Sequence, residues 1–207
     1  MFTLDTDMKK LIEKLKKLLK GSSGFTLIEL LVVIGILGVL AAALVATIDP
    51  FEQLKKADDA KIKNISVEFQ TALVRYYTTH GSFPWNDANS IAANTNPTCT
   101  ALGSAAITGQ KLNTAGVKSC IDNAGGGSLI SEGELKASFT SNLTDLGKVY
   151  ASWDPANATN VIVCFSPTSK SQKAAPDTKW TDNSGSTIGA TCPSATAPDN
   201  TCFWCTR

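Results

Sequence analysis

The chain has 207 residues, 43% of them hydrophobic, with 19 basic and 18 acidic side chains, a composition that argues against disorder along its whole length. The near-neutral total hides an asymmetry, because residues 1–24 carry six lysines against three acids, while the remainder, with 13 basic and 15 acidic residues, is slightly negative. That remainder holds no basic block interleaved with aromatics, so a nucleic-acid groove has no support in the composition.

The first element is a lysine-rich leader. Met8, Leu11, Ile12, Leu15, Leu18 and Leu19 fall on one face of a helix and most lysines on the other. This reads either as an amphipathic helix lying on an anionic leaflet or as an ordinary charged segment ahead of a membrane span.

Phe25 to Ile48 follow with Glu29 as their only charge, and the 19 residues from Leu30 to Ile48 carry none. A run of this length crosses a hydrocarbon core. The lysines just before it predict a single pass with the N-terminus inside and the C-terminus outside. All six cysteines lie beyond residue 98, on the outer side, where disulfides form.

Asp49, Pro50 and Glu52 form a helix-start signature, with an N-cap, a proline at the first helical position and an acid three residues after the cap. The apolar residues Phe51, Leu54, Ile62, Ile65, Phe69, Leu73 and Tyr76 then recur at helical spacing until Gly81 and Phe83-Pro84 stop the helix. The opposite face is expected to expose the Lys and Asp residues between Lys55 and Lys63. Residues 86–128, rich in Asn, Ser, Thr, Ala and Gly, read as loops. Two β-prone runs, Lys148 to Trp153 and Val161 to Ser166, flank a turn-forming stretch and predict a hairpin, with one more strand expected near Lys179 to Thr181.

The architecture expected is α+β: a long N-terminal helix, half membrane-spanning and half amphipathic, packed on a small antiparallel sheet in a loop-rich, disulfide-stapled head. The boundaries read from the pattern are a leader at 1–24, a spanning helix at 25–48, an amphipathic helix at 49–80 and a head at 81–207.

Cys99, Cys120, Cys164, Cys192, Cys202 and Cys205 allow 15 pairings. Near-neighbour pairing joins Cys99 to Cys120, Cys164 to Cys192 and Cys202 to Cys205, and exchanges among Cys192, Cys202 and Cys205 are equally open. The C-x-x-C spacing of Cys202 and Cys205 raises a membrane-anchored thiol–disulfide oxidoreductase as a second class of function. Its setting, two residues from the chain end after a Pro-Asp-Asn loop, lacks the helix N-terminus that lowers a redox thiol's pKa, so structural disulfides are the expectation. A single histidine and no second close cysteine pair leave a zinc site without ligands, and no metal or cofactor is expected. His80 is expected to end a helix, where a cation suits the dipole. Asp182-Asn-Ser-Gly185 lacks the ligand spacing of a calcium loop and reads as a turn. No nucleophile elbow or phosphate loop is present, so the reading is not an enzyme.

Gly24-Phe25-Thr26-Leu27-Ile28-Glu29, set between a lysine-rich leader and a spanning helix, closely resembles the processing site of type IV pilins and type II secretion pseudopilins. The resemblance covers residues 25 to about 84 in layout and the C-terminal part only in plan. It implies cleavage after Gly24 by a prepilin peptidase, N-methylation of Phe25, and polymerisation with copies of itself and related pilins. It also implies work with an assembly platform and its ATPase, and passage from the cytoplasmic membrane to a surface or periplasmic filament, a pilus or a secretion pseudopilus.

Physical chemistry singles out Glu29 within that motif. A lone carboxylate in a spanning helix costs about 2.5 to 3.5 kcal/mol by insertion scales. Cleavage would create an α-amine on Phe25, four residues earlier, able to pair with Glu29 of the same or a neighbouring subunit. Gly35, Gly38 and Pro50 weaken the helix and are candidate bending points. The rival readings are a secretory signal cut at Ala41-Ala42-Ala43 and a plain signal anchor, neither of which requires Gly24, Phe25 or Glu29.

Overall fold

The computed structural model describes residues 10, 12–14, 16, 24–47, 49–85, 99, 109–153 and 160–206. The chain divides into two compact units, residues 1–49 and 50–207. In the first, the described leader residues Lys10, Ile12, Glu13, Lys14 and Lys16 are helical, while Met8, Leu11, Leu15, Leu18 and Leu19 lie outside the described residues. Helix α1, Leu27–Thr47, follows. Its stretch Leu27–Val45 is long and apolar enough to cross a membrane, and none of it is buried within the chain.

The second unit opens with α2, Pro50–His80. A short strand β1, Gln110–Lys111, precedes helix α3, Ala115–Ile121. A 3-10 turn at Ala137–Ser141 leads into α4, Leu143–Leu146, and then strands β2, Val149–Trp153, and β3, Val161–Phe165. Helix α5, Lys170–Lys173, and strand β4, Trp204–Cys205, complete the fold. The four strands form one antiparallel sheet in the order β1-β2-β3-β4.

The expected hairpin is present: Val149 faces Phe165 and Trp153 faces Val161 across β2 and β3. Strand periodicity explains its composition. Val149, Ala151, Val161, Val163 and Phe165 join Ile62, Phe69, Leu73 and Tyr76 of α2 in the main core. Ile162 and Cys164, which alternate with them, are covered on the other face by Trp180 and Phe203. A strand buried on both faces has no polar side to show, which is why Val161–Phe165 reads as an unbroken apolar run.

Several expectations are corrected here. Residues 109–128 are not all loop, because α3 forms and buries Val117, Cys120 and Ile121, too few apolar residues to give a readable helical period. Near Lys179 to Thr181 there is no strand but isolated bridges from Trp180 to Ile188 and to Phe203. On α2 the stripe buries Ile62, Phe69, Leu73 and Tyr76, yet Phe51 and Leu54 are 74% and 67% exposed, because the head leaves this side of the first turns uncovered.

The face expected to be charged holds the other surprise. Asp59 is 4% exposed. It accepts hydrogen bonds from the backbone N–H and the hydroxyl of both Thr168 and Ser169, at 2.6–3.0 Å. A buried carboxylate is tolerable when its lone pairs are filled this way. Ser169 in turn caps α5 through Gln172 N–H. Around Asp59, Lys61 pairs with Asp145 and Lys148 with Asp58, and the bond to Asp145 raises the Lys61 pKa above its usual value.

Candidate assembly and processing site

The motif residues Gly24, Phe25 and Thr26 form an extended lead into α1. Thr26 and Glu29 close a capping box. The Glu29 N–H donates to Thr26 Oγ1 at 3.3 Å, while Glu29 Oε2 accepts from both the Thr26 N–H and the Thr26 hydroxyl at 2.8 Å. Two helix-terminal N–H groups that would otherwise lack partners at an apolar boundary are thereby satisfied. The T-x-x-E spacing before an apolar run carries this signal in the sequence, and Thr26 is the capping residue the sequence reading passed over.

The capping box gives Glu29 a structural task within its own helix, one that needs no α-amine on Phe25. The same geometry places the Gly24–Phe25 bond in non-helical backbone, one residue ahead of the cap. Such a bond is open to a peptidase, as the backbone inside a helix is not. Phe25, Leu27 and Ile28 are 82%, 81% and 69% exposed.

Gly35 and Gly38 lie inside continuous α1, and a Cβ at either would meet nothing within 4 Å. The packing of the subunit itself therefore does not require glycine at these two positions. Pro50 is the first residue of α2, where its fixed φ and missing N–H do no harm.

In the head the cysteines pair as Cys99–Cys120, Cys164–Cys205 and Cys192–Cys202. Two near-neighbour pairings are thus corrected. Cys205 sits directly opposite Cys164 in the β3–β4 register, which decides the exchange that spacing left open. Cys202 and Cys205 belong to different bridges, so the C-x-x-C spacing encloses no dithiol and the oxidoreductase reading loses its reactive pair.

Lys173 holds the Cys192–Cys202 loop to the head by donating to Ala197 O at 2.9 Å and pairing with Asp199. His80 ends α2, stacked on Tyr76 with ring centroids 4.0 Å apart and with Nε2 3.7 Å from Glu132. Asp182 is fully engaged in its turn. Burial raises its pKa, but bonds from Ser184, Ser186 and Thr187 outweigh this and hold it well below the usual carboxylate range. Both its oxygens are occupied by protein donors, and among the described residues no group of three His, Cys, Asp or Glu converges as a metal site would.

Comparison with curated proteins and with solved structures finds no match to this chain. Residues 19–45 match the family model for the prokaryotic N-terminal methylation motif, which is typical of type IV pilins and pseudopilins.

Proposed function

We propose that the chain is a membrane-inserted precursor, cut after Gly24 and N-methylated at Phe25, whose mature form is a non-enzymatic structural subunit of an extracytoplasmic filament. The observation that carries this is the methylation motif joined to a helix that, apart from Glu29, is apolar from Leu27 to Val45 and buried nowhere there in its own chain. A helix of that kind needs lipid or other helices around it. The membrane stores the subunit, and the filament replaces lipid with neighbouring copies.

Glu29 suits the exchange because both Thr26 bonds end on Oε2. Oε1 is then the acceptor for the Phe25 ammonium of an adjoining subunit, so cap and connector are compatible roles. The head contributes a second surface. Ala57, Ala60, Asn64, Val67, Thr71, Val74 and Thr78 recur at alternating steps of three and four along α2, and all are exposed and uncharged. Three of the charges flanking them, Lys61, Lys63 and Arg75, are tied to Asp145, Asp177 and Glu134 of the same head. Spacing of this kind favours near-parallel helix packing against another copy.

The partners this reading requires are the prepilin peptidase and methyltransferase, the assembly platform with its ATPase, and related pilin subunits. Pilus and secretion pseudopilus share such a subunit, and a neighbouring retraction ATPase or secretin gene distinguishes them. Mass spectrometry of the mature protein tests the processing step. The expected N-terminus is methylated Phe25, and a chain beginning at Met1 or Leu44 would refute the proposal.

A further inference from the structure

We propose that the first turns of α2, together with the start of α5, form a docking surface for anionic phospholipid headgroups on the outer leaflet, used by the subunit before it polymerises. Phe51, Leu54 and Lys55 lie at i, i+3 and i+4 and share a helix face, with Lys56 beside them. Glu52 Oε1 accepts from the Ser171 N–H at 3.3 Å, which brings exposed Lys170 of α5 to the same end of the head.

Two apolar side chains more than two-thirds exposed therefore stand among three exposed lysines. This is the composition of an interfacial segment, apolar groups for the acyl boundary and cations for phosphates. The lysines differ from several others in the head. Lys61, Lys63, Lys148 and Lys173 are paired with Asp145, Asp177, Asp58 and Asp199, whereas no ion pair forms at Lys55, Lys56 or Lys170 among the described residues. Of the two acids at this end, Glu52 is engaged with α5, and Asp49 is the other.

The occupant is a membrane rather than a soluble partner because of chain continuity. Pro50 begins α2 five residues after Val45, the end of the apolar span. The inference rests on that span lying in a bilayer, and the experiment separates the two claims.

Hydrogen–deuterium exchange is measured on the full chain in vesicles of phosphatidylcholine alone and of phosphatidylcholine with phosphatidylglycerol. Residues 27–45 are expected to be protected in both. The amides of residues 51–57 are expected to exchange about 30- to 150-fold more slowly in the anionic vesicles, the size that two or three lysines near such a surface supply. The variant Lys55→Gln/Lys56→Gln/Lys170→Gln should abolish this difference, and Lys136→Gln, an exposed lysine elsewhere on the head, should preserve it. Equal exchange of 51–57 in the two lipids, with 27–45 protected, would overturn the docking surface alone. Unprotected 27–45 would overturn the membrane reading and the surface with it.

Discussion

The two long helices of this chain are made of similar apolar residues arranged to opposite ends. Along α1 every described side chain from Leu27 to Val45 is exposed, and its one carboxylate closes the helix end on Thr26. Along α2 the apolar residues gather on one side and disappear into the head, with Ile62, Phe69, Leu73 and Tyr76 at 2% exposure or less. Charge content and periodicity together separate them: α1, with Glu29 as its one charge, is apolar all round and needs an apolar environment, whereas α2 sets an apolar stripe among many charges and needs only a sheet.

The largest effect should come from the charge on α1. Thr26→Ala removes the cap but keeps the carboxylate, whereas Glu29→Gln keeps an acceptor for the Thr26 N–H but removes the charge. If Glu29 connects subunits, Glu29→Gln should insert normally and form almost no filaments, and Thr26→Ala should reduce them only modestly, the loss of a cap being worth about 1 kcal/mol. Filament yield by electron microscopy, with membrane fractionation as the control, checks both. Normal filaments from Glu29→Gln together with a severe loss from Thr26→Ala would show that the cap, and not the charge, is what assembly needs.

On α2 the expected damage is confined to the head. Phe69→Ala should destabilise it by about 3 to 5 kcal/mol, since this fully buried ring lies in the main core against the sheet. Denaturant unfolding followed by tryptophan fluorescence measures this, and membrane insertion through α1 should be unchanged. Asp59→Ala should cost less, about 2 to 3 kcal/mol, by leaving the Thr168 and Ser169 donors without their shared acceptor. The same denaturation measurement checks it, and a loss below about 0.5 kcal/mol would mean that the surrounding chain re-satisfies those donors.

Asp59 also marks the limit of what the sequence discloses. Among Lys55, Lys56, Asp58, Lys61 and Lys63 it looks like one more solvated charge, and its partners lie 109 and 110 residues further on. Only tertiary contact identifies it. The Cys164–Cys205 bridge was hidden for the same reason, because it follows from the β3–β4 register rather than from spacing. Features set by local chemistry were readable: the apolar span, the hairpin of Val149–Trp153 with Val161–Phe165, and the end of α2 at His80. Phe51 and Leu54 fit the α2 stripe by period and still miss the core, since periodicity assigns a face but not the length over which it is covered. Thr26 was local and legible, its T-x-x-E box differing from the Asp49–Glu52 signature only in sitting at the edge of the membrane span.

The smallest effect concerns the glycines of α1, and it tests whether the exposed helix is as unconstrained as it looks. A Cβ at Gly35 or Gly38 meets nothing within 4 Å, so the double variant Gly35→Ala/Gly38→Ala adds no clash to the subunit. It should instead strengthen the isolated helix, by about 0.5 to 1 kcal/mol at each position. Precursor insertion and head stability should therefore equal those of the parent. If the glycines serve to let α1 bend or loosen as it leaves the bilayer, assembly must work against that added helical preference, and filaments should form several-fold more slowly. The rate of filament appearance after induction measures this. An unchanged rate would assign the bend to the Asp49-Pro50 junction instead, and a rate that rises would mean that filaments hold α1 straight.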